Sequence, residues 1–237
     1  MGEPAVEPDP RRWLILGVVG AAFFMTILDV AIVNVAVPSI EIDLSIKRET
    51  VQWVITAYAI AFGGFLLLGG RMADLLGRRR IFVAGLILFT LSSLACGLSK
   101  TAGSASILIA ARAVQGLGAA IISPAALSIV TTTFKEGAER NKALGIWGAL
   151  GGSGAAAGVL AGGVLVKYLG WEWIFFVNVP VGALVLALTR PIVPESRADI
   201  GHRRFDAAGA LTVTAGLTLL VYAISKAPDV GWGSART

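Results

Sequence analysis

Two oppositely charged residues stand inside long apolar stretches of the sequence, where an ionised side chain is costly to bury. Asp29 lies within 13–36, Arg112 lies within 104–130, and Gln115 follows three residues after the arginine, on the same helix face. The aspartate is a candidate to bind a proton or the positive charge of a substrate. The arginine keeps its proton and can orient a carboxylate or a proton path. The alternative roles are structural: a hydrogen-bonding partner near the outer mouth for Asp29, and a tie to backbone carbonyls for Arg112.

A second charged group occupies the segment GRMADLLGRRR, residues 70–80. Gly70 permits a close approach where a helix ends, and Gly77 permits the chain to reverse. Asp74 can accept hydrogen bonds from backbone N–H groups and pair with an arginine. Since it carries both signs of charge, such a turn can make and break ion pairs as helices move. The alternative is a basic turn whose arginines only set the orientation of the chain.

The composition indicates that lipid, not water, is the main solvent of this chain. Of 237 residues, 56% are hydrophobic and only 15% are charged, whereas a soluble domain carries about 25% charged residues. Cys96 is the sole cysteine, which excludes an internal disulfide and a cysteine-only metal site. The sequence predicts an all-α membrane protein with spans at 13–36, 51–70, 81–99, 104–130, 143–165, 172–189 and 207–225.

The basic residues predict how the chain is threaded through the membrane. Most of the 20 lysines and arginines fall in the N-terminal tail and in every second loop between apolar spans. This asymmetry predicts a multi-pass protein of the plasma (inner) membrane with a cytoplasmic N-terminus, and it argues against a nucleic-acid partner. With seven spans the C-terminus lies outside. Trp53, Trp171 and Trp173 are then expected in the outer aromatic belt.

The predicted fifth span carries glycines at a spacing that favours close helix packing. Gly154, Gly158 and Gly162 recur every four residues and therefore share one helix face. Gly163 follows directly. The alternative to a gating role for this face is a tightly packed helix interface.

Several motifs resemble those of the major facilitator superfamily. The turn at 70–80 resembles its signature loop G-x-x-x-D-[RK]-x-G-R-[RK]-[RK], with Leu75 at a position that is usually basic. The segment ILIAARAVQGLGAA (107–120) resembles the superfamily's R-x-x-Q-G-x-G-A-A motif of span four. Three further segments are similar to motifs of the fourteen-span drug:proton antiporters: LDVAIVNVAVPSI (28–40), WEWIFFVNVPVG (171–182) and FDAAGALTVTAGLTLLVYAIS…GW (205–232). Ala31 and Glu172 replace the threonine and arginine usual in that branch.

The resemblance implies a fold and a division of the chain. It implies an N-terminal six-helix bundle of the major facilitator fold at 11–189, plus one additional transmembrane helix at 207–225. A disordered cytoplasmic tail at 1–10, a cytoplasmic loop at 190–206 and an extracytoplasmic tail at 226–237 complete the expected organisation.

It also implies a function: the N-terminal part of a proton-coupled secondary transporter that exports drugs or other small amphipathic compounds by alternating access, as in multidrug efflux and antibiotic resistance. Asp29, Arg112 and Gln115 would couple proton and substrate. The gating loop would comprise Gly70, Asp74, Gly77, Arg78 and Arg79, and the packing motif Gly154, Gly158, Gly162 and Gly163. Val159 stands where these antiporters have proline, so their helix bend is not expected here. No enzyme, cofactor, metal or ATP site is expected.

The length of the chain fits one bundle and one extra span, whereas alternating access requires two bundles. We therefore expect a truncated transporter whose C-terminal half is missing, or a half that pairs with a second chain. The expected partners are a small-molecule substrate, protons and the lipid bilayer. The alternative function is a non-transporting membrane fragment that associates with a second transporter half.

Overall fold

The computed structural model describes residues 9–197, 207–231 and 233, and every regular element in these ranges is an α-helix. The helices are α1 (Arg12–Asp43), α2 (Arg48–Leu76), α3 (Arg78–Leu98), α4 (Ala105–Thr133), α5 (Ala138–Tyr168), α6 (Trp173–Phe176), α7 (Asn178–Ile192) and α8 (Ala207–Val230). Among the described residues, 6 spans are long and apolar enough to cross a membrane, the sixth being α6 and α7 together. The predicted all-α membrane fold is confirmed.

The helices continue past the apolar stretches that mark them in the sequence. Helix α1 ends at Asp43 instead of residue 36, α2 ends at Leu76 instead of 70, and α5 begins at Ala138 instead of 143. The predicted boundaries are too short because hydropathy marks only the part of a helix in hydrocarbon. Backbone hydrogen bonding continues into the polar interface beyond it.

The predicted tails and loop are only partly within the described ranges. Residues 1–8 of the N-terminal tail, 198–206 of the loop at 190–206, and 232 and 234–237 of the C-terminal tail lie outside the described residues. In the described parts, α7 continues to Ile192 and α8 continues to Val230. The proposed division into domains stays a prediction.

Glycines on α5 allow that helix to lie directly against α1. A Cβ atom added at Gly158 would be 2.7 Å from the carbonyl oxygen of Leu28, and one at Gly162 would be 3.1 Å from the side chain of Ile32. Gly154 has a similar contact with the backbone of Phe24, at 3.2 Å.

Gly163 does not face α1, although the sequence analysis placed it in the same packing motif as the other three glycines. No described atom lies within 4 Å of a Cβ atom added there. The physical reason is the helical turn of about 100° per residue, which points Gly163 away from the face of Gly162.

The end of the bundle opposite the arginine-rich turn is held by polar contacts. The indole Nε1 of Trp171 donates to Asp43 at 2.7 Å, and Lys100 donates to Glu172 at 2.8 Å. Trp171 is 2% exposed, so it does not lie in an aromatic belt as predicted. Its ring packs inside the bundle because its N–H finds a carboxylate at the end of α1.

We predict that Gly158→Val lowers the thermal unfolding midpoint, because the added side chain would collide with the backbone of α1. Overpacking of this kind costs about 1–3 kcal/mol. Unfolding is followed through the reaction of buried Cys96 with a thiol-specific fluorescent dye. Gly163→Val is the matched control and should leave the midpoint unchanged. Equal midpoints for the two variants would contradict the close α1–α5 contact.

Candidate functional site

The two charges that stand apart in the sequence form one ion pair in the structure. Nη1 of Arg112, on α4, lies 2.6 Å from Oδ2 of Asp29, on α1, and the two side chains are 2% and 0% exposed. An ion pair this deeply buried persists only when its remaining polar atoms also have partners.

Both residues have those partners. Oδ1 of Asp29 accepts hydrogen bonds from Nε2 of Gln115 at 2.9 Å and from Nδ2 of Asn178 at 2.8 Å. Arg112 donates from Nη1 to Oε1 of Gln115 at 2.7 Å and from Nε to the carbonyl of Val54 at 3.0 Å. The structure therefore brings Asp29, Arg112 and Gln115 together in one hydrogen-bonded network.

Sequence reasoning missed three side chains of this network. Asn178, on α7, also donates to Oγ of Ser93 on α3, at 3.0 Å. The ring of Tyr58, on α2, has its centroid 4.2 Å from the guanidinium carbon of Arg112, a favourable cation–π geometry. These residues could have been found in the sequence as polar side chains within apolar stretches. Asn178 in particular lies inside the motif at 171–182. Including these residues, five helices contribute to the site.

A large cavity adjoins the ion pair. Its volume is about 950 Å³, and α1, α2, α4 and α5 line it mostly with apolar and aromatic side chains. Phe23 and Trp147 stack within it at 4.2 Å between ring centroids. Arg112 and Tyr58 reach the cavity wall, whereas Asp29 is fully buried behind them. A molecule in the cavity can therefore contact the arginine directly and influence the carboxylate through it.

Ion pairs hold the predicted gating turn against neighbouring helices. Asp74 pairs with Arg78 at 2.9 Å, and Nε of Arg78 donates to Ser128 of α4 at 2.5 Å. Gly77 joins α2 to α3 with φ +115°, a conformation that favours glycine. Gly70 does not end a helix as predicted: it lies inside α2, where an added Cβ atom would be 3.4 Å from Pro124.

Arg79 links the same turn to the segment that follows α7. Its backbone N–H donates to Oε1 of Glu195 at 3.1 Å, and its guanidinium donates to the carbonyl of Val193 at 3.2 Å. The backbone N–H of Arg78 donates to the carbonyl of Ser196 at 2.9 Å. The first turn of α3 is thus covered by residues 193–196.

Among the described residues, no group of three or more histidine, cysteine, aspartate or glutamate side chains is placed to hold a metal ion.

Comparison with known proteins identifies the family of the chain. The family model "Major Facilitator Superfamily" matches residues 19–235. The chain is 48% identical over 226 residues to the puromycin resistance protein pur8 of Streptomyces alboniger, covering 95% of this chain and 44% of that protein. It is 44% identical to the cephamycin export protein CmcT of Amycolatopsis lactamdurans, covering 90% of this chain and 44% of that protein.

A solved structure agrees with the fold. The crystal structure of the POT family transporter PepTSo superposes with a TM-score of 0.69 at 15% identity, covering 95% of this chain and 49% of that chain. The chain spans less than half the length of these curated relatives, 44% of both the puromycin and the cephamycin protein.

We predict that Arg112→Met destabilises the protein more than the double variant Asp29→Leu/Arg112→Met. The single change leaves a buried carboxylate without its cation, at a cost of about 3–5 kcal/mol, whereas removing both charges avoids that cost. Thermal unfolding followed by circular dichroism compares the variants with the unmodified chain. Equal losses in the single and double variants would show that the charges are not energetically coupled.

Proposed function

The chain belongs to the major facilitator superfamily, and from this we propose that it is the N-terminal part of a proton-coupled transporter that exports small amphipathic compounds by alternating access. The observation that carries the proposal is the buried Asp29–Arg112 pair beside a cavity of about 950 Å³. A protonatable group and a space for a small molecule meet at the same arginine.

Proton coupling would act through the hydrogen bonds of Asp29. In its ionised form the carboxylate accepts from Arg112, Gln115 and Asn178. Protonation removes the negative charge, so the buried guanidinium of Arg112 loses its counter-ion and has to find compensation elsewhere, in the cavity or by moving. The five helices that meet at this site would then rearrange together.

The lining of the cavity supports amphipathic substrates. The stacked rings of Phe23 and Trp147 offer apolar surface to a flat molecule. The relatives named for puromycin resistance and cephamycin export support drug export as the activity. A multidrug resistance protein, Stp of Mycobacterium tuberculosis, is 43% identical over 218 residues, covering 92% of this chain and 40% of that protein.

The turn around Gly77 would act as the gate at the cytoplasmic end. Its ion pairs and hydrogen bonds join the end of α2 and the start of α3 to α4 through Ser128 and to the segment after α7 through Glu195. Opening this end of the bundle would require these contacts to break. The positive-inside rule assigns the turn and the N-terminus to the cytoplasm.

A second bundle would supply the opposite wall of the cavity, because alternating access requires two bundles that rock about a shared site. It would come from a C-terminal half or from a second chain. The alternative function is a membrane fragment that associates with a transporter half without transporting anything. The coverage of 44% of the relatives' length is the observation that keeps this alternative open.

We predict that Asp29→Asn abolishes export driven by a pH gradient, because an amide cannot exchange a proton. The test uses a chimera in which this chain replaces the matching part of the puromycin resistance protein, reconstituted in liposomes with puromycin as the probe. The unmodified chimera should export puromycin when a proton gradient is imposed.

Asp43→Asn is the matched control, since Asp43 is on the same helix but at its far end, bonded to Trp171. It should export normally. Export by the Asp29→Asn chimera with unchanged pH dependence would remove Asp29 from the mechanism. A folded chimera without any export would favour the alternative of a non-transporting fragment.

We predict that the turn after α4 is cytoplasmic and the turn after α3 is external. The test introduces Glu136→Cys or Thr101→Cys into a Cys96→Ser background; both positions are exposed. A membrane-impermeant maleimide added to intact cells should label only the cysteine at 101. Labelling at 136 instead would reverse the proposed orientation.

A further inference from the structure

A second cavity lies outside the coupling site, on the arginine-rich end of the bundle. Its volume is about 370 Å³, and it is lined by Arg79, Arg80 and Val83 of α3 and by Arg190 of α7. The functional proposal leaves Arg80 and Arg190 without a role.

The charges around this cavity do not balance. Glu195 lies 3.7 Å from Arg79 and 3.6 Å from Arg80, so these two guanidinium groups share one carboxylate. Arg190 has no ion-pair or hydrogen-bond partner for its side chain within the described part of the chain, and the side chain of Arg80 is 66% exposed. Three guanidinium groups against one carboxylate leave an excess of positive charge. Guanidinium groups match a phosphate in charge and geometry.

Apolar surface continues from the arginines along both helices. On α3, Ile87 and Leu91 follow Arg80 by seven and eleven residues, which places them on one stripe, and they are 43% and 60% exposed. On α7, the exposed Ala183 and Ala187 share a stripe with Arg190. Because α3 and α7 pack together, the two stripes form one exposed apolar surface, and the charged cavity lies at one end of it.

We propose that this cavity binds the phosphate headgroup of an anionic phospholipid, with an acyl chain along the stripes of α3 and α7. A cluster of basic side chains at the membrane surface above an apolar surface fits both parts of such a lipid. The excess positive charge favours an anionic headgroup over a zwitterionic one. Glu195 is outnumbered by the arginines and its Oε2 is buried, so it is a poor partner for a headgroup amine.

Bound there, the lipid would join α3 to α7 beside the segment that covers the start of α3. This site uses neither the ion pair nor the large cavity, but it shares Arg79 and Glu195 with the proposed gating turn.

The test reconstitutes the full chain in vesicles of phosphatidylglycerol and phosphatidylcholine in equal amounts, then counts retained lipids by native mass spectrometry. The unmodified chain should retain phosphatidylglycerol preferentially. Arg80→Gln/Arg190→Gln should reduce that preference by about 25-fold, since each of the two basic side chains at the headgroup contributes about a factor of five. Arg80→Lys/Arg190→Lys should keep most of it.

Lys135→Gln/Lys142→Gln is the matched control, because it removes two exposed positive charges from the same end of the bundle but outside the cavity. It should retain the preference. Equal retention of both lipids by the unmodified chain, or equal losses in the two double glutamine variants, would overturn the proposal. Displacement of the lipid by excess inorganic phosphate would identify a site for free phosphate instead.

Discussion

The structure depends on the cost of placing Asp29 and Arg112 where water is excluded. Each charge alone in this position would destabilise the fold by several kcal/mol. The chain meets that cost by bringing the charges to 2.6 Å and by satisfying the remaining polar atoms with Gln115, Asn178 and the carbonyl of Val54. These partners come from different helices, so the pair fixes the arrangement of the bundle around it.

Such a network requires helices that approach closely, and the glycines of α4 make this possible. A Cβ atom added at Gly116 would be 2.9 Å from Cα of Tyr58, and one at Gly118 would be 2.7 Å from the backbone nitrogen of Phe89. Gly116 follows Gln115 directly. The small residue therefore lets α2 approach at the level where Tyr58 covers the guanidinium of Arg112.

The sequence predicts some parts of this arrangement well and other parts poorly, for physical reasons. Charges inside apolar stretches identify Asp29 and Arg112 without a structure, because burial of a charge always requires compensation. The two charges compensate each other because α1 and α4 pack together. The periodicity of the sequence does not predict that packing. Asn178 and Tyr58 were missed because neutral polar side chains are tolerated in apolar helices and give a weak signal.

Helices α2 and α4 both run from the buried ion pair to the proposed gating turn, and on each helix the two sites are the same number of residues apart. On α2, Tyr58 covers Arg112 and Asp74 follows 16 residues later; on α4, Arg112 and Ser128 are also 16 residues apart. This is about 24 Å along a helix axis. Between the two levels, an added Cβ atom at Gly69 of α2 would lie 3.1 Å from Cα of Ile121 of α4, so neither helix can slide freely past the other. A change in the charge of Asp29 that displaces Arg112 would therefore act on both helices that hold the turn, which gives the proposed coupling a mechanical route through the bundle.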